Sequence, residues 1–275
     1  MAGWTVESPQ RLTVDGPVTR LDVRLVSGRL NVVAAADGPA RIDVAQVGRR
    51  PVLIDHADGR LTIRQERGRS WSDVLRWFRM FHRYPRVDVS VAVPADVLAD
   101  LGLVAGSVVA SGLRRQTRVN VTAGQITLMG LRGNTDAHIT SGPLEALGVR
   151  GDLTLQTVSG EVILADSAAD RVRAQTVSGA ITCDLDNPRH SEIQLTTISG
   201  RITVRVREDS DLAVQLQTAA GRITSGFPQV RASTFPQSNC AGVIGAGNGK
   251  LWASATSGSI ALLARAVDNE GEELP

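Results

Sequence analysis

The chain has 275 residues, 42% of them hydrophobic, which excludes a disordered polymer. Its 30 Lys and Arg stand against 28 Asp and Glu, so a formal charge of +2 gives no global case for nucleic acid. Cys183 and Cys240 form no CxxC pair and so neither a disulfide framework nor a zinc site; the start of the chain lacks the basic and apolar blocks of a secretory leader, and no apolar run is long enough to span a bilayer.

In chain order, the first pattern surrounds Gly28. Leu21 and Val23 precede it and Leu30 and Val32 follow, with a period of two on each side, which is the side-chain period of a strand. The phase slips by one at the glycine, so the chain must turn a corner there to keep both apolar sets on one side. Gly59 fits the same frame, with Val52, Ile54, Leu61 and Ile63. The 31-residue step between the two glycines predicts an extra hairpin within "ADGPARIDVAQVGRRP".

An insertion of about 66–86 comes next. It contains "SWSDVLRWFRMFHRYP", Ser70 to Pro85, which carries five of the nine aromatic residues of the chain: Trp71, Trp77, Phe78, Phe81 and Tyr84. Trp71, Val74, Leu75, Phe78 and Phe81 have helical spacing, while Arg76, Arg79 and Arg83 share another side. A short helix is predicted. Three roles compete for it: a cap on the end of the fold, a surface for a protein partner or a second copy, and an amphipathic contact with an anionic membrane.

From Gly106 onward a small-Gly-x-aliphatic string recurs at Gly106, Gly124, Gly142, Gly160, Gly179, Gly200, Gly221 and Gly258, in steps of 18, 18, 18, 19, 21, 21 and 37. Two residues after each glycine lie Val108, Ile126, Leu144, Val162, Ile181, Ile202, Ile223 and Ile260. A short strand, a corner, a second strand and a return, repeated at this period, is a coil of a parallel β-solenoid. Strands stacked at about 4.8 Å turn these positions into buried columns. Thr157, Thr176, Thr197 and Thr218, three before the glycine, read as a ladder sharing hydroxyl hydrogen bonds. The 37-residue step predicts a looped hairpin insertion at about 226–249, and the acidic segment 264–275 is expected to be disordered. The fold class is thus all-β, a single domain over 1–263 built as a single-stranded parallel β-solenoid with a short helical insertion.

Chemistry-bearing residues are sparse. His56, His82, His138 and His190 fall in different segments, and no HExxH or nucleotide-binding glycine loop exists. No catalytic, metal or cofactor residue is therefore assigned. Asp166 and Asp170, then Asp184 and Asp186, then Glu208, Asp209 and Asp211 fall in three successive returns. Such a set suits solvated turns, a calcium site or a carbohydrate-cleaving enzyme. Asn120, His138, Gln156, Gln175, Thr196 and Gln217, four before the glycine, form an outward polar strip that is either solvated or a surface for a sugar or a partner. Cys183 takes an aliphatic position in a core column and reads as a buried, inert thiol. Val158, Val177 and Ile198 offer the aromatic segment a landing row.

The run "RVDVSVAVPADVLADLGLVAGSV", the repeated "TxSGxI" strings and the closing "GVIGAGNGKLWASATSGSIAL" resemble the bacterial β-strand-repeat family labelled "putative adhesin", a domain of unknown function, over roughly Leu21 to Leu263. The resemblance implies a right-handed β-helix, supplies no catalytic residues, and links some members to envelope-stress systems. The expected function is a non-enzymatic scaffold or interaction protein, a possible accessory of envelope-stress sensing at the cytoplasmic membrane face. The expected location is accordingly the cytoplasm, at the membrane periphery or free of it. Its expected partners are a protein, a second copy or an anionic membrane surface, with no nucleic acid and no cofactor. The alternatives are a carbohydrate-active or carbohydrate-binding β-helix and a bactofilin-like self-assembling structural protein.

Overall fold

A computed structural model describes residues 2–35, 38–48, 50–65, 86–185, 190–232 and 239–266. They fall into two compact units, 1–143 and 144–275. Both are all-β, with no helix among the described residues. The expected helical insertion and most of the acidic tail lie outside those residues.

The first unit contains β1 (Ala2–Val6), β2 (Gln10–Val14), β3 (Arg20–Ala35), β4 (Ala40–Gln46), β5 (Val52–Ala57), β6 (Arg60–Gln65), β7 (Val87–Pro94), β8 (Leu98–Ser111), β9 (Thr117–Met129) and β10 (Thr135–Ser141). The strands β3, β8 and β9 each run through a glycine corner and so contribute to two faces. On the first face β6, β3, β8, β9 and β10 are parallel neighbours in that order. On the second, β7, β3, β8 and β9 are parallel neighbours. The outer strands reverse direction: β5 and then β1 lie antiparallel beyond β6, and β4 and then β2 lie antiparallel beyond β7.

Two expectations change here. Gly59 is not a solenoid corner but the second residue of a tight turn joining β5 to β6, where Ala57 faces Arg60 and both Asp58 (φ 50°) and Gly59 (φ 73°) are left-handed. The alternating pattern on either side of Gly59 is therefore a hairpin, and Asp-Gly is the dipeptide that such a turn favours. The strand β4 forms no hairpin with its chain neighbour β3, because β7 and β8 already occupy both edges of that half of β3. It pairs with β2 and β7 instead.

The second unit contains β11 (Leu144–Leu147), β12 (Arg150–Ser159), β13 (Val162–Ser178), β14 (Ile181–Leu185), β15 (Glu192–Ser199), β16 (Ile202–Arg207), β17 (Leu212–Ala220), β18 (Ile223–Ser225), β19 (Arg231–Ala232), β20 (Asn239–Ile244), β21 (Gly249–Ser257) and β22 (Ile260–Arg265). Its coils do not stack in sequence order. The last coil, β21 and β22, sits between β15 and β16 on one side and β17 and β18 on the other. The strand β20 then closes the free edge of β17 in the antiparallel sense, with β19 outside it. A reading of the repeat as simple successive stacking misses this, because the 37-residue step only signals extra chain, not where the chain returns.

The core follows the columns. In the first unit Val89, Leu30, Val108 and Ile126 are in register and buried; in the second Leu144, Val162, Ile181, Ile202 and Ile260 are. Leu113 and Leu131 add a buried position from successive returns, where Arg132 N donates to Leu113 O, a column the glycine alignment did not reveal. The residue three before the glycine also points inward. It is Leu25, Leu103, Val121 and Ile139 in the first unit and Thr157, Thr176, Thr197 and Thr218 in the second, all buried. Ala255 lies between Thr197 and Thr218, so the threonine row is interrupted. Thr218 Oγ1 donates to Gly258 O at 2.9 Å, whereas the hydroxyls of Thr157, Thr176 and Thr197 have no hydrogen-bond partner among the described residues. The shared-hydroxyl ladder is therefore not formed; spacing between stacked strands exceeds hydrogen-bond reach.

The corner glycines are required by close approach. A Cβ on Gly106 would overlap the carbonyl oxygen of Gly28, one on Gly124 that of Gly106, and one on Gly142 that of Gly124. In the second unit the order is Gly179 on Gly160, Gly200 on Gly179, Gly258 on Gly200 and Gly221 on Gly258, which repeats the threaded stacking.

Candidate functional site

The polar strip becomes a continuous surface in the second unit. Alternation along each strand buries Leu155, Ala174, Leu195, Ala253 and Leu216 and turns their neighbours outward. Register then aligns Gln156, Gln175, Thr196, Ser254 and Gln217 across five strands, and Gln217 faces Asn239 on β20. Thr154, Arg173, Gln194, Trp252 and Gln215 form the adjacent row. The strip expected from the repeat is thus assembled for Gln156, Gln175, Thr196 and Gln217, with Ser254 inserted by the threaded coil. Asn120 and His138 are neighbours on the first unit.

Trp252 was not singled out by the sequence reasoning. Its position six residues before the Gly258 corner acquires neighbours only once β21 is known to lie between β15 and β17, which places the indole between Gln194 and Gln215. The described aromatic residues are Trp4, Phe227 and Trp252. Phe227 is buried and Trp4 faces Ile54 in the core layer at an edge strand, so Trp252 is the one set on an outward row of a central strand.

The next row along carries charge. Asp152, Arg171, Glu192 and Lys250 are in register there, and Arg171 Nε lies 3.3 Å from Glu192 Oε2. Within the two polar rows the one ionised group is Arg173, whose Nε donates to Gln194 Oε1 at 3.2 Å. The face is therefore sheet-borne, hydrogen-bonding and nearly neutral.

The acidic returns do not converge. Asp184 lies on β14, where Arg205 and Arg265 both bind it, the latter with Nη1 at 3.3 Å from Oδ1. The Arg205 hydrogen bond holds the carboxyl below the usual carboxylate range. Asp209 pairs with Arg207 at 2.9 Å and Asp211 Oδ1 accepts from Ala246 N at 2.8 Å. Asp186 lies outside the described residues. Among the described residues no three His, Cys, Asp or Glu side chains come together as a metal site. Cys183 is fully buried between Leu164 and Val204, and burial pushes its thiol up to about 12.

A second ionic group occupies the first unit. Asp22, 8% exposed, lies 3.6 Å from Arg24 Nε and 3.4 Å from Arg60 Nη2, and Arg24 also reaches Asp100 at 2.8 Å. The hydrogen bond to Asp100 raises the Arg24 guanidinium further above its ordinary value. Gly102 makes room for this arginine: a Cβ there would come within 2.8 Å of Arg24 Nη1. The group is a structural ion network on a sheet face.

Trp71, Arg76, Trp77, Phe78, Arg79, Phe81, Arg83 and Tyr84 lie outside the described residues. The chain leaves β6 at Gln65 and rejoins at Val87, beside the Gly28 corner. The row named as a landing surface, Val158, Val177 and Ile198, is 49%, 44% and 53% exposed.

No curated protein matches the chain. The crystal structure of a "putative adhesin" from Bacteroides fragilis NCTC 9343 superposes with a TM-score of 0.51 at 12% identity, covering 93% of this chain and 98% of that one. A "putative lipid binding protein" from Parabacteroides distasonis ATCC 8503 gives 0.47 at 9% identity, covering 94% and 97%. At these identities the first likeness shows the fold alone. The family model of Toastrack DUF4097 matches residues 18–263. That span takes in the repeats of both units, from the strand before Gly28 to the one after Gly258, and the chain belongs to the Toastrack DUF4097 family.

Proposed function

We propose that this chain is a non-catalytic binding scaffold whose working surface is the outer face carrying Gln156, Gln175, Thr196, Ser254, Gln217 and Trp252. The observation that carries the reading is the register of these side chains across neighbouring strands of a packed sheet. Each amide offers both a donor and an acceptor, and each hydroxyl does too. A rigid sheet fixes their spacing, so little ordering entropy opposes binding. Such a face suits an uncharged partner rich in hydroxyl or amide groups, and favours carbohydrate binding over carbohydrate cleavage, because no carboxylate stands in its two polar rows.

The test is a paired substitution, Gln175→Lys with Gln217→Lys, titrated against fractionated cell-envelope polysaccharide, membrane and soluble protein. The expected result is saturable binding to one fraction, lost in the variant, with unchanged thermal stability and no change in the bound material over time. Binding that survives the substitution, or material that is consumed, overturns the proposal.

A further inference from the structure

We infer that the Trp252 face takes a neutral, linear, equatorially linked glycan, with the indole as stacking platform and the amide row as hydrogen-bonding rail. This rests on the binding-scaffold reading and names its ligand class.

Three observations converge. First, Trp252 is outward on a central strand, flanked across the sheet by Gln194 and Gln215. A pyranose with equatorial substituents has flat C–H faces and a rim of hydroxyls, so an indole meets the face while neighbouring amides meet the rim. Second, the adjacent row offers Gln156, Gln175, Thr196, Ser254 and Gln217 in succession. Strand spacing of about 4.8 Å is close to the length of one pyranose ring. A row of this kind therefore repeats its hydrogen-bonding groups at the interval at which a linear glycan repeats its hydroxyls, and it favours a chain over a single sugar.

Third, the charge pattern selects a neutral ligand. The two polar rows contain no carboxylate, and their one cation, Arg173, is held by Gln194. The flanking row Asp152, Arg171, Glu192 and Lys250 balances its own charges. A polyanion would find one cation, Arg173, in the two rows and a margin where Arg171 and Lys250 alternate with Asp152 and Glu192, so the face offers it no run of positive charge. Protein partners bury apolar hot spots; Trp252 instead has Gln194, Gln215, Ser254 and Lys250 as its nearest outward neighbours, and the exposed Val158, Val177 and Ile198 lie beyond the amide row.

The experiment uses the full chain and soluble β-1,4-linked glucan oligomers of increasing length, read by calorimetry and by tryptophan fluorescence. An α-linked glucan and a polyanionic glycan serve as controls. Affinity is expected to rise with oligomer length and to exceed that for both controls. Trp252→Ala is expected to weaken binding about tenfold, from stacking worth about 1.4 kcal/mol, without altering the melting temperature. Trp252→Phe should recover part of the loss.

Equal affinity for single sugars and long oligomers, preference for the polyanion, or binding indifferent to Trp252→Ala each overturns the inference. If no neutral glycan binds or competes while an envelope fraction still binds and is lost in the Gln175→Lys, Gln217→Lys variant, the ligand class is wrong and the scaffold reading stands. If that variant leaves fraction binding intact, the face itself is wrong.

Discussion

Gly124 and Gly130 lie in the same turn of the first unit and both have positive φ, 145° and 60°. They differ in what surrounds them. A Cβ on Gly130 meets nothing within 4 Å, while a Cβ on Gly124 overlaps the Gly106 carbonyl oxygen. Replacing Gly130 by Ala should therefore cost only the left-handed backbone penalty, about 1 to 2 kcal/mol. Replacing Gly124 by Ala adds overpacking of about 1 to 3 kcal/mol and the weakening of strand hydrogen bonds on either side, about 1 kcal/mol each. The sum, roughly 4 to 7 kcal/mol, is a large part of the 5 to 15 kcal/mol that holds a typical protein folded. Chemical denaturation of the two variants, followed by circular dichroism, measures the difference directly. Thermal melts should separate by several degrees, at about 2 to 4 °C per kcal/mol for a chain of this size. If the two variants agree within about 0.5 kcal/mol, close stacking is not what requires glycine at the corner.

Ile181→Ala empties a fully buried position between Val162 and Ile202 and should cost about 2 to 5 kcal/mol, read by the same denaturation; a loss below about 0.5 would remove that column from the core. Thr176→Val replaces a buried hydroxyl that lacks a partner among the described residues, so it should stabilise by about 1 kcal/mol, and destabilisation would restore the hydroxyl ladder. Asp184 has its pKa lowered by Arg205, so its contribution is present above the unfolded carboxyl value near pH 4 and is lost as pH falls through the folded value. Asp184→Asn should accordingly be less stable than the parent at neutral pH, with the gap closing under acid; a gap independent of pH would remove the ion pair as its cause. Cys183 and Cys240 are both buried, and thiol-specific reagents should label them only on unfolding.

Much of the architecture was legible because one physical event repeats. The phase slip at each glycine marks a corner wherever the chain stacks on itself, and Leu30, Val108, Ile126, Val162 and Ile181 are buried as the period predicts. Gly59 shows the limit. A hairpin also alternates on both sides of a glycine, and only pairing direction distinguishes the two. The polar strip was readable from its offset, since Gln156, Gln175 and Thr196 occupy consecutive coils. Ser254 has the same offset from Gly258, but its place between Thr196 and Gln217, and that of Trp252 between Gln194 and Gln215, were not readable, because a non-sequential return of the chain sets their neighbours. The acidic returns looked like a cluster by residue count, but Asp184 points from a strand into two arginines that are distant in sequence.

That return also changes what the end of the chain means. In an ordinary solenoid, trimming the last repeat exposes one new end and leaves the rest intact. Here, removing β21 and β22 would take a slat from the middle: β15 and β16 would lose one neighbour and β17 and β18 another. During synthesis β17 and β18 emerge before the strands that join them to the preceding coil. Among the described residues they have no sheet partner of lower sequence number, so the second unit is not completed coil by coil. The pairing of β21 and β22 is non-local, a kind of contact that slows folding, and it makes the segment Gly249 to Arg265 a keystone and not an appendage.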